Sequence, residues 1–474
     1  MNSYGRLIAR LNGTEIEARF NYYLGLVKKG IAGFILFGGE IELVRTKVRE
    51  LLEEAKQPLI IASDLEQGVG QQLEGGTLFP PPLAIAAAMR TVDKRAAQSV
   101  LEKLYTAMAL EARYSGINTI FAPVLDINSN PKNPIIATRA FGEDPESVSF
   151  LGCEMIKTLQ KNGITACGKH FPGHGDTDVD SHISLPVIHK SLRHIEKEEL
   201  VPFQKAIDAG VRMIMLGHLC VPAIEPWRIP ASLSGKVVSY LKRTLGFRGN
   251  TITDAMNMGA IGEHHEEEAS RMALEAGVDL ILHPTDPDKV ASYLRQESQP
   301  FLPLSLTFAA GSNCTSFDFE DHLRLSRELT EMSVTMIGAK GSAIKKPFLI
   351  ILNEDRIEKK LSFIDELRKS YPDIRSRMLF PEEDISWEGI PQNSELIVAI
   401  FSVVKAWKGG ASQWLEKSIH ALDRKAKVFV AFGNPFTLRD VHEGVIKIFA
   451  YWDSEIAQEA AAEKLLGEIL RAKQ

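Results

Sequence analysis

The sequence predicts an α/β protein with an N-terminal (β/α)8 barrel followed by a smaller C-terminal α/β layered domain. Short apolar runs recur eight times within residues 6–282, and amphipathic helical patterns lie between several of them. Buried parallel strands form such runs because helices cover both faces of their sheet. Eight strands alternating with helices are typical of a closed barrel, whose active site lies at the carboxyl ends of the strands.

The barrel elements are predicted in order along the chain. The strands are predicted at 6–11, 32–37, 58–63, 119–124, 164–168, 211–216, 251–253 and 278–282. The helices are predicted at 42–55, 92–114, 144–161, 197–209 and 266–276. After the third strand, several glycines and the run Pro80-Pro81-Pro82 predict a long loop or a distorted barrel segment.

A second alternating pattern begins after a connector at 300–313 and a helix at 319–332. Strands are predicted at 348–352, 396–401, 428–432 and 445–450, and helices at 357–370, 414–423 and 456–472. This order is typical of a small doubly wound α/β layer. We therefore expect a catalytic barrel at 1–330 and a small α/β sandwich domain at 345–474.

Composition argues against several classes of protein. The 474 residues carry a formal net charge of −6, so there is no electrostatic case for nucleic acid or an anionic membrane as partner. No run of apolar residues is long enough to span a bilayer, and the first residues contain no secretory apolar core. None of the 4 cysteines forms a CxxC pair, as is usual for free thiols in a reducing compartment. We expect a cytoplasmic protein.

Titratable residues follow six of the eight predicted strands. Because the carboxyl ends of barrel strands share one face, these residues are expected to meet there. In chain order they are Asp64, Asp126, Lys169 with His170, His218, Asp254 and His283. Lys169 and His170 suit an oxygen-rich ligand, although Lys169 could instead be a salt-bridge partner. Asp126 is expected to hold a neighbouring loop.

The segment 170–182 is dense in histidine and aspartate, a composition that suits a metal site, a structural loop or acid–base catalysis. The aspartates at 176, 178 and 180 resemble a calcium loop, but Ser181 and Val187 stand where that loop needs glycine and glutamate. Within Asp180-Ser181-His182, a carboxylate beside an imidazole fixes its tautomer and stabilises its protonated form. The spacing therefore favours acid–base chemistry over metal binding.

Two further residues are candidates for the same chemistry. Asp254 could cap the helix after its strand, or, together with a distant acid–base residue, act as a nucleophile. Arg139 offers a rigid fork of donors suited to hydroxyls or carboxylates.

Four strings in this order resemble bacterial β-N-acetylglucosaminidases of glycoside hydrolase family 3. They are FAPVLDIN at 121–128, RAFGEDP at 139–145, KHFPGHGDTDVDSH at 169–182 and TDAMNMGAI at 253–261. The resemblance implies a retaining enzyme that removes terminal β-linked N-acetylglucosamine, with peptidoglycan fragments as the expected substrates. It implies neither a cofactor nor a metal.

The resemblance also implies roles for individual residues. Asp254 is the expected nucleophile, and His182 is the expected general acid and base in partnership with Asp180. The residues expected to bind hydroxyls of the sugar ring are Asp64, Arg139, Lys169 and His170.

One departure from the family pattern concerns the segment after Asp64. Relatives often carry two arginines there, and one of them contacts the sugar; Gln72 stands at that position in this chain. Two other activities stay open alongside the hydrolase. One is a β-N-acetylglucosaminide phosphorylase using the same site, since a neutral histidine repels phosphate less than a glutamate would. The other is a metal-dependent hydrolase.

Overall fold

The computed structural model describes residues 2–177, 185–261, 265–296, 317–338, 344–356, 361–404 and 411–471. The chain forms two compact units. The first consists of Met1–Phe79, Lys94–Asn133 and Ala140–Leu325, and the second of Pro80–Asp93, Pro134–Arg139 and Ser326–Gln474. No helix among the described residues is long and apolar enough to cross a membrane.

The first unit contains a closed barrel of eight parallel strands. They are β1 (Leu7–Asn12), β2 (Gly33–Phe37), β3 (Ile60–Ser63), β4 (Thr119–Ile120), β5 (Thr165–Phe171), β6 (Met213–Leu216), β7 (Asn250–Ala255) and β8 (Leu280–Leu282). Each overlaps one predicted strand, so the predicted barrel is confirmed. β4 is shorter than predicted, and β5 and β7 extend further towards the candidate site residues.

The helices of both units also alternate with the strands. In chain order they are α1 (Phe20–Lys29), α2 (Ile41–Glu54), α3 (Pro82–Met89), α4 (Lys94–Tyr114), α5 (Pro145–Lys161), α6 (Leu192–Lys197), α7 (Leu200–Asp208), α8 (Gly235–Ser239), α9 (Glu266–Ala276), α10 (Pro287–Gln296), α11 (Phe319–Ser333), α12 (Ser362–Ser370), α13 (Gln413–Leu422) and α14 (Glu455–Arg471). Helix α5 shows why such elements begin where they do. The Asp144 side chain accepts a hydrogen bond from the Ser147 amide at 2.7 Å, and Pro145 takes the first helical position, where no amide is needed.

The segment predicted as a long loop or a distorted barrel segment contains helix α3 instead of a continuous loop. Pro82 begins this helix, and every residue of it is buried. The helix belongs to the second unit, where Leu83 and Ala87 pack with Tyr451. The proline run suggested irregular backbone because proline interrupts most elements, but proline is well tolerated at the start of a helix.

The second unit is built on a six-stranded sheet in the order β11-β10-β12-β13-β14-β9. Its strands are β9 (Thr335–Ile337), β10 (Pro347–Asn353), β11 (Arg375–Leu379), β12 (Glu395–Ser402), β13 (Ala426–Gly433) and β14 (Ile446–Phe449). All pairings are parallel except that of β9 with β14. Alternate residues of β12 enter separate apolar cores, with Ile397 on one face and Val398 on the other. The predicted α/β layer is confirmed, although β9 and β11, both at the sheet edges, were not predicted.

Candidate active site

The interior of the barrel places three of the predicted site residues on one inward-facing layer. Successive side chains of a strand point to opposite faces, so every second residue of a barrel strand points inward. Inward-facing residues on β3, β5 and β7 belong to one buried apolar cluster, and they are Ala62, Cys167 and Ile252. Two positions further towards the carboxyl ends lie Asp64, Lys169 and Asp254. We call this layer the barrel mouth.

A buried ion-pair cluster lies on one side of the barrel mouth. The Lys169 ammonium contacts Asp64 Oδ1 at 2.7 Å and Glu66 Oε1 at 2.9 Å. Lys169 is only 2% exposed, and a buried ammonium is tolerated when opposite charges compensate it. Among these side chains Asp64 is the accessible one, with 30% of its side chain exposed. The sequence predicted Lys169 and Asp64 but not Glu66, whose carboxylate holds the lysine in place.

Cys167 lies two residues before Lys169 on β5, and the charges of the barrel mouth affect the pKa of its thiol. Burial raises its pKa first; nearby Lys169 lowers it, and Asp64 and Asp254 raise it further. Asp254 therefore faces the same interior space as the Lys169–Asp64 pair. The structure thus brings together one predicted nucleophile and two predicted sugar-binding residues.

Asp126 fixes the orientation of His170. Its Oδ2 lies 2.7 Å from His170 Nδ1, and its Oδ1 accepts the backbone amide of His174 at 2.7 Å. Burial by itself raises the pKa of Asp126, but interactions with His170 and His174 outweigh it and hold that pKa below its usual value of 3.8. The ionised carboxylate requires a proton on His170 Nδ1, which leaves Nε2 as the nitrogen directed elsewhere.

His218 fixes the backbone that carries Asp254. Its Nε2 lies 3.1 Å from the Ala255 carbonyl oxygen, and its Nδ1 lies 2.6 Å from the Ser232 hydroxyl. A carbonyl oxygen only accepts, so Nε2 carries the proton and Nδ1 accepts from Ser232. Burial lowers the pKa of His218 below its usual value, which keeps the ring neutral and this arrangement intact. The Asp254 Oδ1 itself accepts the Ala255 amide at 2.8 Å.

Three of the predicted site residues are not among the side chains described above. Asp180 and His182 fall outside the described residues. Arg139 ends a short helical turn, Ala137–Arg139, in the second unit, where its guanidinium donates to the Ile135 carbonyl oxygen at 3.3 Å. Their roles remain predictions from the sequence.

Gln72, at the position where relatives carry a sugar-binding arginine, turns towards Asp64. Its side-chain amide donates to the Asp64 backbone carbonyl at 3.4 Å. An amide in this position supports the loop after β3 and supplies no positive charge to the mouth.

One group within the described part of the chain has the composition of a metal site: His194, Glu198 and Glu199. The ammonium of Lys190 already contacts Glu199, and it lies 3.7 Å from Glu198 Oε2 and 3.6 Å from Asp176 Oδ1. These carboxylates thus share a cation from the chain itself. None of the predicted site residues belongs to the group.

Comparisons with known proteins identify a family of glycosyl hydrolases. Residues 15–299 match the model of the N-terminal domain of glycosyl hydrolase family 3. A β-hexosaminidase of Chromobacterium violaceum is 33% identical over 291 residues, which cover 60% of this chain and 81% of that protein. A β-hexosaminidase A of Pseudoalteromonas piscicida is 34% identical over 322 residues, and the match spans only 53% of that longer protein.

A solved structure extends the similarity over both units. It is a family 3 β-N-acetylglucosaminidase from Paenibacillus sp. str. FPU-7, with 26% identity and a TM-score of 0.79. The match covers 99% of this chain and 97% of that one.

The buried ring of His174 makes the stability of the barrel depend on pH. Burial lowers the pKa of His174 to about 4, from 6.5. As the pH falls from 6.5 towards 4, this histidine is therefore protonated in the unfolded chain but stays neutral in the folded chain. The free energy of unfolding contributed by this group is fully present above this window and decreases by up to about 3 kcal/mol across it.

We expect the replacement His174→Gln to remove this part of the pH dependence. Urea unfolding at several pH values across the window measures the slope of the unfolding free energy against pH. This slope reports the number of protons taken up on unfolding, and that number should decrease by up to about one in the variant. The exposed His189→Gln is the matched control and should keep the wild-type slope. Equal slopes in wild type and His174→Gln would contradict the assignment of a neutral buried ring.

Proposed function

Since the chain belongs to glycoside hydrolase family 3, we propose that it is a retaining exo-β-N-acetylglucosaminidase. It removes terminal β-linked N-acetylglucosamine from peptidoglycan fragments through a covalent glycosyl-enzyme. The main support is the Asp254 carboxylate, which lies on the same inward layer as the Lys169–Asp64 pair. Related proteins described as β-hexosaminidase and β-N-acetylglucosaminidase support the sugar.

Asp254 is the nucleophile in this proposal. A retaining mechanism needs a carboxylate that attacks the anomeric carbon and leaves in a second step, so that two displacements restore the original configuration. Such a carboxylate must be held in place, because small misplacements of reacting atoms reduce rates strongly. His218 provides this support through the Ala255 carbonyl, so we regard it as a positioning residue.

Asp64, Lys169, His170 and Arg139 bind hydroxyls of the sugar ring. A carboxylate accepts hydrogen bonds from hydroxyls, and Asp64 is the accessible member of the buried ion-pair cluster. Lys169 and Glu66 keep that carboxylate in one place, so little side-chain entropy is lost when the sugar binds. His170 follows Lys169 in the chain, and Asp126 orients its ring, so that Nε2 is the ring nitrogen that contacts the sugar in this proposal.

His182 donates a proton to the leaving oxygen and then takes one from water, and Asp180 supports it. This role rests on the KHFPGHGDTDVDSH string. A histidine changes charge near neutral pH, so it serves both steps without the strongly shifted pKa that a carboxylic acid needs. We propose a cytoplasmic location for the protein, where an enzyme that recycles imported peptidoglycan fragments would meet its substrate.

The substitution Asp254→Asn tests the nucleophile. It keeps the shape of the side chain but removes its charge, so we expect kcat for an aryl β-N-acetylglucosaminide to decrease by at least about a thousandfold. The matched control is Asp144→Asn, since asparagine also caps a helix and this residue lies outside the mouth. Steady-state kinetics with unchanged far-ultraviolet circular dichroism decides the matter. Comparable activity in the two variants would refute the assignment.

The substitution His182→Ala tests the general acid. Phenols that leave easily need little protonation, whereas poor leaving groups depend on it. We expect kcat/KM to decrease about a hundredfold more for a phenyl than for a dinitrophenyl β-N-acetylglucosaminide. A loss that is uniform across leaving groups would exclude His182 as the acid.

A further inference from the structure

An inward-facing residue near the carboxyl end of β1 is an arginine. Ile8 belongs to the apolar cluster inside the barrel, and Arg10 is the next residue on the same face. Its neighbours Ala9 and Leu11 are buried, whereas Arg10 is exposed. In a closed barrel an inward-facing side chain can be exposed only at an open end, so the guanidinium lies in the barrel mouth.

Arg10 stacks on an aromatic ring but pairs with no carboxylate among the described residues. Its Cζ lies 4.9 Å from the centroid of the Phe37 ring, the inward-facing residue at the end of β2. Stacking on an aromatic face orients a guanidinium and leaves its planar edge of N–H donors for another partner. The carboxylates of Asp64 and Glu66, by contrast, are already engaged by Lys169. Within the described part of the chain, the guanidinium of Arg10 therefore has no carboxylate partner on its side of the mouth.

His283 completes this side of the mouth. It follows β8, its backbone amide donates to the Ile8 carbonyl at 2.7 Å, and its ring lies 6.0 Å from that of Phe37. Its Nδ1 is 2.9 Å from Asn257 Oδ1. Burial, followed by the charge of Arg10, lowers the pKa of His283 to about 4, so the ring is neutral at physiological pH. With Nδ1 donating to Asn257, the neutral ring keeps Nε2 as an acceptor.

The backbone at His283 supports a binding role for this group. Its φ of 52° lies in the left-handed region, which residues other than glycine adopt at an energetic cost. Such conformations are concentrated at ligand-binding and catalytic sites, where surrounding contacts hold them. We call Arg10, together with the neutral side chains of Phe37 and His283 beside it, the cationic wall, and its charge comes from Arg10 alone.

We propose that the cationic wall binds an oxyanion, with the guanidinium of Arg10 as its main recognition element. The shared chemistry is a planar or tetrahedral group with at least two negatively charged oxygens, which a guanidinium engages with two parallel hydrogen bonds. The source we favour is a carboxylate carried by the aglycone of the substrate. Free inorganic phosphate entering the mouth is the other source of the same chemistry. The inference rests on the proposed function in that the sugar occupies the same mouth.

Binding of two thioglycosides, which resist hydrolysis, tests the proposal. The pair consists of the meta-carboxyphenyl and the meta-carbamoylphenyl S-glycosides of β-N-acetylglucosamine, which differ in charge but hardly in shape. Isothermal titration calorimetry of the full chain should show the carboxylate bound about tenfold more tightly than the carboxamide. In Arg10→Gln this ratio should fall to about one, and Arg10→Lys should retain part of it, because lysine keeps the charge without the fork.

The matched control is Arg19→Gln. Arg19 also stacks on an aromatic ring, with its Cζ 5.0 Å from the centroid of the Tyr22 ring. It directly precedes helix α1, however, and its guanidinium pairs with Glu15. This variant loses the same charge and should keep the tenfold ratio. A decrease of equal size in both variants would show a general effect of net charge and overturn the proposal.

A titration with inorganic phosphate distinguishes the source and separates the two hypotheses. Phosphate binding that is present in wild type and lost in Arg10→Gln, without a carboxylate preference, would support the oxyanion site with free phosphate as its ligand. If wild type binds neither thioglycoside, the proposed function fails, and the phosphate titration still tests Arg10. If Arg10→Gln leaves both the carboxylate ratio and phosphate binding unchanged, or if wild type binds neither anion, the inference about the cationic wall is wrong.

Discussion

Closure of eight parallel strands into a barrel is the constraint on which the rest of the structure depends. Each strand must turn every second side chain inward, and the apolar positions on this face fill the interior. At the carboxyl ends the same alternation continues into the open mouth, where side chains no longer need to be apolar. Asp64, Lys169 and Asp254 therefore converge although they are far apart in sequence, and Arg10 joins them from β1.

The mouth is organised by the cost of burying charge. An ammonium as inaccessible as that of Lys169 requires opposite charges close by, and Asp64 with Glu66 provides them. The pair formed by Asp126 and His170 follows the same rule at the neighbouring position. These contacts hold one side of the mouth in place by themselves, so that a ligand entering the mouth would not have to order it.

The sequence predicted the elements that have an unambiguous signal and missed those decided by tertiary contacts. Buried strands are continuous apolar runs, so all eight barrel strands were found, whereas β11 is an edge strand with charged residues and gave no such signal. Glu66 was missed because its role depends on meeting Lys169, more than a hundred residues away. Arg10 was missed because a charged residue within an apolar run usually lies on the solvent-exposed face of its strand. Only the closure of the barrel directs this side chain into the barrel mouth.

The central claim, that Asp254 forms a covalent bond to the sugar, is tested most directly by trapping the intermediate. The protein is incubated with a slowly turned-over fluorinated N-acetylglucosaminyl donor, digested, and analysed by tandem mass spectrometry. A glycosylated peptide whose modified residue is Asp254 is the predicted result. A label on another carboxylate, such as Asp64, or turnover of the donor with inversion and no covalent label, would contradict it.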